Sequence, residues 1–181
     1  MLGNANLQGA KLFHADLAEA CLAGAMLGDA NLSDAFLARA CLAKACFGSA
    51  NLRRAYLAEA NLAWANLADA DLAGACLGGA KLTGAEFGRA SFRGAYLVDA
   101  DLRYANLGEA NLEGANLAGA NVAGAQFERA NLTGVDLSRT IRIDRPAVPV
   151  VRSIGCLTLE AIEASRSPTT LSAHRYFKLR E

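Results

Sequence analysis

From Leu2 to Leu137 every fifth residue is large and apolar: 23 of the 28 positions are Leu, and the rest are Phe47, Phe87, Phe92, Val122 and Phe127. A second register, from Ala5 to Ala130, is Ala at all 26 positions, with Val135 the first departure. The unit is Ala-x-Leu-x-x, as in Ala60-Asn61-Leu62 and Ala105-Asn106-Leu107. An α-helix cannot bury this pattern, because five residues advance about 500° and successive leucines land about 140° apart. A flat strand fails as well: side chains alternate with period two, and five is odd. The chain must therefore turn once per repeat, with Ala and Leu pointing inward along a short edge.

The remaining positions fit a corner. The second residue after the central one is Gly at ten places, including Gly74, Gly79, Gly84, Gly114 and Gly119, which suits a turn that needs positive φ. Asn or Asp precedes the central residue at fourteen places, ten Asn and four Asp, where the side chains can form ladders or satisfy corner backbone groups. Apolar residues make up 53% of the chain and aromatic ones only 7%, so the core is built of Ala and Leu rather than rings. Each buried central side chain contributes about 1.5–3 kcal/mol, but no single turn of the coil could stand alone.

These residues resemble the pentapeptide-repeat family, whose pattern is written A(D/N)LXX, across residues 1 to about 140. The resemblance implies an all-β solenoid: a right-handed quadrilateral β-helix with four pentapeptides per coil, hence about seven coils. Residues 1–140 form this domain in the sequence reading. Residues 141–181 form a C-terminal cap or tail, beginning with an extended stretch, Ile141 to Val151, in which Pro146 and Pro149 cannot donate to an interior ladder. Short helices are expected after Thr158 and after Pro168, making the extension partly helical. The first coil, Leu2 to Leu17, carries no cap, so a homodimer through an open N-terminal coil is an expectation of the pattern.

Chemistry is sparse. The five cysteines form no CxxC pair; Cys21, Cys41 and Cys46 lie near one another, yet no His or fourth Cys converges on them. His14 and His174 lack a Ser or Cys partner at a recognisable spacing, and neither GxGxxG nor a P-loop occurs. The sequence therefore predicts a protein that is not an enzyme and takes no metal and no cofactor. Lys plus Arg equals Asp plus Glu at 18 each, which gives no basic footprint for direct nucleic-acid binding. Apolar runs are far too short for a membrane helix, and the first residues lack a secretory pattern, so the expected location is cytoplasmic.

Sorting units by residue number modulo twenty shows one face with an aromatic stripe, Asp16, Phe36, Tyr56, Cys76, Tyr96, Asn116 and Asp136. Beside it run the small residues Ala38, Ala58 and Val98. Phe36, Tyr56, Tyr96, Ala38, Ala58 and Val98 are the candidate protein-contact face, and Trp64 and Tyr104, across Gly84 on a neighbouring face, form a second pair. Two charge columns alternate in sign: Asp69, Arg89, Glu109, Arg129, and Glu19, Arg39, Glu59. The expected function is a structural or protein-interaction scaffold with flat faces. The family resemblance supplies an alternative, a DNA mimic that modulates DNA gyrase or topoisomerase IV. Residues 1–140 carry 14 acidic and 11 basic side chains, however, and no column is a run of carboxylates.

Overall fold

The structure, a computed structural model, describes residues 2–141. They form an all-β solenoid. Parallel bridges join residues twenty apart, from Asn6↔Met26 through Tyr56↔Cys76 to Asn121↔Ile141, so four five-residue units complete one turn and each unit stacks on its counterpart in the next. No helix occurs among the described residues. The expected C-terminal helices fall outside them.

The corner has one repeated geometry. The Ala N–H donates to the carbonyl of the central residue three positions earlier, as Ala60 does to Leu57, closing a four-residue turn. The residue just before that Ala takes positive φ in 27 of the 28 units, at 54–60° for the 17 non-glycine residues and 62–73° for the ten glycines. That is the sign pattern of a type II turn, whose third position usually needs Gly or Asn. Here Arg, Glu, Asp, Lys, Trp and Tyr occupy it too. An L side chain in this region costs about 1–2 kcal/mol. The offset lies in the same residue, because its N–H donates to the adjoining turn, as Glu59 does to the Gly78 carbonyl at 2.9 Å.

Three of the five N–H groups in a unit bond between turns and a fourth closes the corner. For the unit around Leu57, Tyr56 N–H reaches the Ala35 carbonyl, Leu57 the Cys76 carbonyl, Glu59 the Gly78 carbonyl, and Ala60 closes on Leu57. The fifth N–H, on the residue after the central one, has no backbone acceptor among the described residues. Asn or Asp supplies one: at all fourteen such places the side-chain Oδ1 accepts from the N–H two residues on, as Asn61 does from Ala63 and Asp71 from Ala73. Satisfying the corner is thus the main task of these residues. A side-chain rung between two stacked Asn occurs at Asn131 and Asn111, 3.1 Å apart.

Inside, central residues from Leu22 to Leu117 are 0–1% exposed, and the Ala column fills the space between them. Phe87 and Phe92 meet edge to face with centroids 4.9 Å apart, so two consecutive units share an aromatic contact in a mainly aliphatic core. In the first turn Leu2 is exposed and Leu7, Leu12 and Leu17 are half-buried. At the other end the regular bonding changes after Val135. The Gly119 N–H takes the Arg139 carbonyl instead of that of Ser138, and Asp136 makes no bridge to Asn116. The bulkier Val at an Ala position coincides with this one-residue slip.

A mid-column charge should be far worse than a mid-column cavity. Leu72→Ala is expected to lower unfolding free energy by about 2–5 kcal/mol. Leu72→Asp is expected to abolish the cooperative transition altogether, because a buried carboxylate there has no partner in either neighbouring turn. Urea unfolding followed by circular dichroism checks both.

Candidate protein-contact face

The register of twenty determines which outward residues become neighbours. It brings Asp16, Phe36, Tyr56, Cys76, Tyr96 and Asn116 onto successive rungs of one face, joined by five consecutive bridges. Asp136, the last member expected from the sequence, leaves this ladder at the register slip. Its carboxylate still accepts from the Ser138 N–H at 2.8 Å, the same local bond that Asp16 and Asn116 make within the ladder.

Within the stripe, Phe36 and Tyr56 stack nearly parallel, with centroids 5.0 Å and planes 6° apart. Cys76 separates Tyr56 from Tyr96, so the stripe is a two-ring stack, a half-buried thiol and a third ring. Phe36 and Tyr56 are each 46% exposed and Tyr96 56%. Ala38, Ala58 and Val98 are half-buried alongside, leaving the strip between the rings and the corner low and flat. Because the backbone beneath is bonded turn to turn, these rings stand on a fixed grid.

Trp64 and Tyr104 do not meet across Gly84. Trp64 lies over Gly84, one turn on, where an added methyl would collide with the indole, and Tyr104 lies in the same way over Gly124. The relation is a repeated one that residue type alone does not disclose, since it appears only when twenty is added to each number.

Charged residues pair between turns in couples rather than in long runs. Arg89 contacts Asp69 through two hydrogen bonds of 2.7 and 2.6 Å, Arg54 contacts Asp34 through two of 2.7 Å, Arg39 pairs with Glu19, and Arg129 approaches Glu109 at 3.4 Å. The Arg54 and Arg89 guanidiniums hold Asp34 and Asp69 below the usual carboxylate range. Asp101 is lowered chiefly by Arg103, with further help from the Thr83 hydroxyl at 2.9 Å. These pairs are solvent-exposed, so their contribution is modest and screened by salt.

Cys21 and Cys41 are bridged neighbours, whereas Cys46 sits on the next face opposite Met26. Among the described residues no group of three His, Cys, Asp or Glu is placed to hold a metal ion. His14 packs edge-on against Phe13, and His174 lies outside the described residues. Nor does any helix among the described residues have the length and apolarity to cross a membrane.

An uninterrupted stack of five-residue units with Leu and Ala inward and a left-handed corner defines a pentapeptide solenoid. The family model for pentapeptide repeats matches between residues 1 and 141 in overlapping segments, and the chain belongs to that family. Among solved structures it is similar to a pentapeptide repeat protein, Rfr23, from the cyanobacterium Cyanothece 51142, at 32% identity and a TM-score of 0.45. That match covers 60% of this chain and 64% of the other, so it spans less than two thirds of the Cyanothece protein. HetL, a pentapeptide repeat protein involved in heterocyst differentiation regulation in Nostoc, is 35% identical over 77% of this chain and 73% of its own, with a TM-score of 0.32. QnrB1, a plasmid-mediated fluoroquinolone resistance protein, is 22% identical over 77% and 75%, with a TM-score of 0.45. No curated protein matches the chain.

Four carboxylates, Asp34, Asp69, Asp101 and Asp136, are held below their ordinary values in the folded state. A depressed folded pKa stabilises the fold above the unfolded value, about 3.9, and that stabilisation is lost as pH falls through the lower folded values. Melting temperature should therefore stay level from about pH 8 to about pH 5 and decline below about pH 4. The decline should be smaller in high salt, as calorimetry across that range would show.

Proposed function

We propose that the chain is a rigid, non-enzymatic scaffold that binds a protein partner through the face bearing Phe36, Tyr56 and Tyr96, with Ala38, Ala58 and Val98 allowing close approach. The observation that carries this reading is the pair of stacked, half-exposed rings on a backbone already fixed by bonds to the turns on either side. Aromatic side chains that are ordered before binding lose little entropy on contact, and such residues dominate many interfaces. In this reading residues 1–140 make a rod of seven right-handed coils, roughly 34 Å long at the spacing of stacked strands. Residues 141–181 serve as its cap or tail. The half-buried leucines of the first turn offer a second contact, with another copy of the chain.

The free thiols of Cys21, Cys41, Cys46 and Cys76 fit a reducing compartment, which supports a cytoplasmic location. A DNA-mimic role would need a polyanionic column. The carboxylates of these columns alternate with arginines and bond to them, which favours the scaffold reading over gyrase or topoisomerase modulation.

Tyr56→Ser/Tyr96→Ser is the discriminating variant. Both rings point away from the leucine column, so its melting temperature is expected to stay close to the native one. Binding of the protein captured by the native chain should weaken by about 2 kcal/mol or more. A variant that melts much earlier yet still binds when cold would make the stripe cladding for the coil. Gyrase supercoiling is expected to be unaffected at low micromolar chain.

A further inference from the structure

Cys21 and Cys41 are the only two cysteines that share a rung among the described residues. The Cys41 N–H donates to the Ala20 carbonyl at 2.9 Å and the Leu22 N–H donates to the Cys41 carbonyl at 2.8 Å, so the two residues stand directly opposite each other on adjacent turns. Both are half-buried, with side chains outside the leucine column, and Leu22 and Leu42 beside them are fully buried.

Their separation is that of a disulfide. Stacked strands lie about 4.8 Å apart, and bridged cysteines have Cα atoms about 4.4–6.8 Å apart. Side chains of parallel neighbours in register point the same way, so the Cβ atoms are also about 4.8 Å apart, slightly beyond the usual range of about 3.5–4.5 Å. Closure draws the two Cβ atoms together and stores some strain. Strained or accessible disulfides are the readily reduced ones. The other thiols lack this geometry. Cys46 stands on the next face, bridges Met26 and Asn66, and with four units per turn its Cβ vector diverges from that of Cys41 by about a quarter turn. Cys76 is flanked by Tyr56 and Tyr96.

We propose that Cys21 and Cys41 form a reversible disulfide that staples two adjacent turns when the protein meets a small-molecule disulfide such as oxidised glutathione. One thiolate attacks a sulfur of the oxidant, forming a mixed disulfide and releasing a first free thiol. The second cysteine, once deprotonated, displaces the remaining half as a second free thiol. One protein S–S bond forms and the oxidant's S–S bond breaks. The oxidant takes up the two electrons and two protons that the cysteines give up. An excess of free thiol runs the exchange backwards.

The position gives the bond a consequence. In a stack each turn is held only by its neighbours, so unfolding can start from an end. Leu2 is exposed and Leu7, Leu12 and Leu17 are half-buried, whereas Leu22 is the first central residue with no exposure. The staple joins the turn of Leu22 to the next one, at the edge of the fully buried core, and closes a loop of about twenty residues. It lies one face away from Phe36, Tyr56 and Tyr96 and does not rest on their proposed role.

Trypsin separates these thiols: Cys21 falls in 12–39, Cys41 in 40–44 and Cys46 in 45–53. The full chain is equilibrated with oxidised glutathione, alkylated, unfolded and digested without reductant. Mass spectrometry should find 12–39 and 40–44 as one species, two hydrogens lighter than their sum, from chain that runs as a monomer on a non-reducing gel. The oxidised chain should melt about 5 °C or more above the reduced one, a difference that excess dithiothreitol removes. Cys46→Ser should behave as the native chain. Cys41→Ser should keep the native circular dichroism and melt at the same temperature with and without oxidant. Absence of the linked pair overturns the proposal. So does a 40–44 link to 45–53 as the main product, a 12–39 link to 40–44 confined to a dimer band, or a linked monomer that melts no higher than the reduced chain.

Discussion

One corner, repeated, holds this molecule in its shape. In 27 of the 28 units the second residue after the central one is in the left-handed region, and without that reversal Ala and Leu could not both face inward every five residues. Most proteins reserve the conformation for glycine. Here 17 other residues adopt it, because the same N–H that the reversal exposes is taken by a carbonyl of the adjoining turn. A local penalty of about 1–2 kcal/mol per corner is set against bonds and burial that exist only when turns are stacked. The fold is therefore cooperative along its axis, and an isolated turn has no means of surviving.

The corner also separates support from display. Two positions per unit, Ala and the central residue, go inward and are nearly invariant in size. The residue before the central one has its backbone bonded and its side chain outside, so Phe, Tyr, Cys, Lys, Asn and Asp are all accommodated there. What the protein presents to a partner is consequently set by columns of residues twenty apart. Each column has a different character: stacked rings on one face, rings laid over glycine on the next, and Arg–carboxylate couples along the corners.

The Leu and Ala registers, and with them the solenoid, were legible because period five is incompatible with helix and strand alike. So were the neighbours on each face, once the resemblance implied four units per turn. Less was legible at the corners. Nothing about Trp64, Arg89 or Glu109 as residue types announces positive φ, since the stabilising bond comes from residues nineteen positions later. Both roles expected of Asn occur, but unequally: capping of the local N–H is general, as at Asn61 and Asp71, whereas Asn131 and Asn111 form a ladder rung. The postures of Phe36 against Tyr56 and of Trp64 over Gly84 depend on side-chain packing that periodicity does not encode. Asp136 dropped out of its column where Val135 replaces Ala, a change visible in the sequence whose effect on register was not.

Amide hydrogen exchange at single alanines tests the backbone arrangement most directly. Ala23, Ala38, Ala43 and Ala58 follow a central Leu in units that lack Asn or Asp before it, and their N–H groups have no acceptor among the described residues. Ala63, Ala68, Ala73 and Ala118 occupy the same place after Asn61, Asn66, Asp71 and Asn116, whose Oδ1 atoms accept from them. The account predicts fast exchange in the first group, slower exchange in the second, and the slowest exchange at the central Leu amides bonded between turns. Uniform protection of both alanine groups, or protection of Ala38 and Ala58 comparable to that of Leu37 and Leu57, would contradict it.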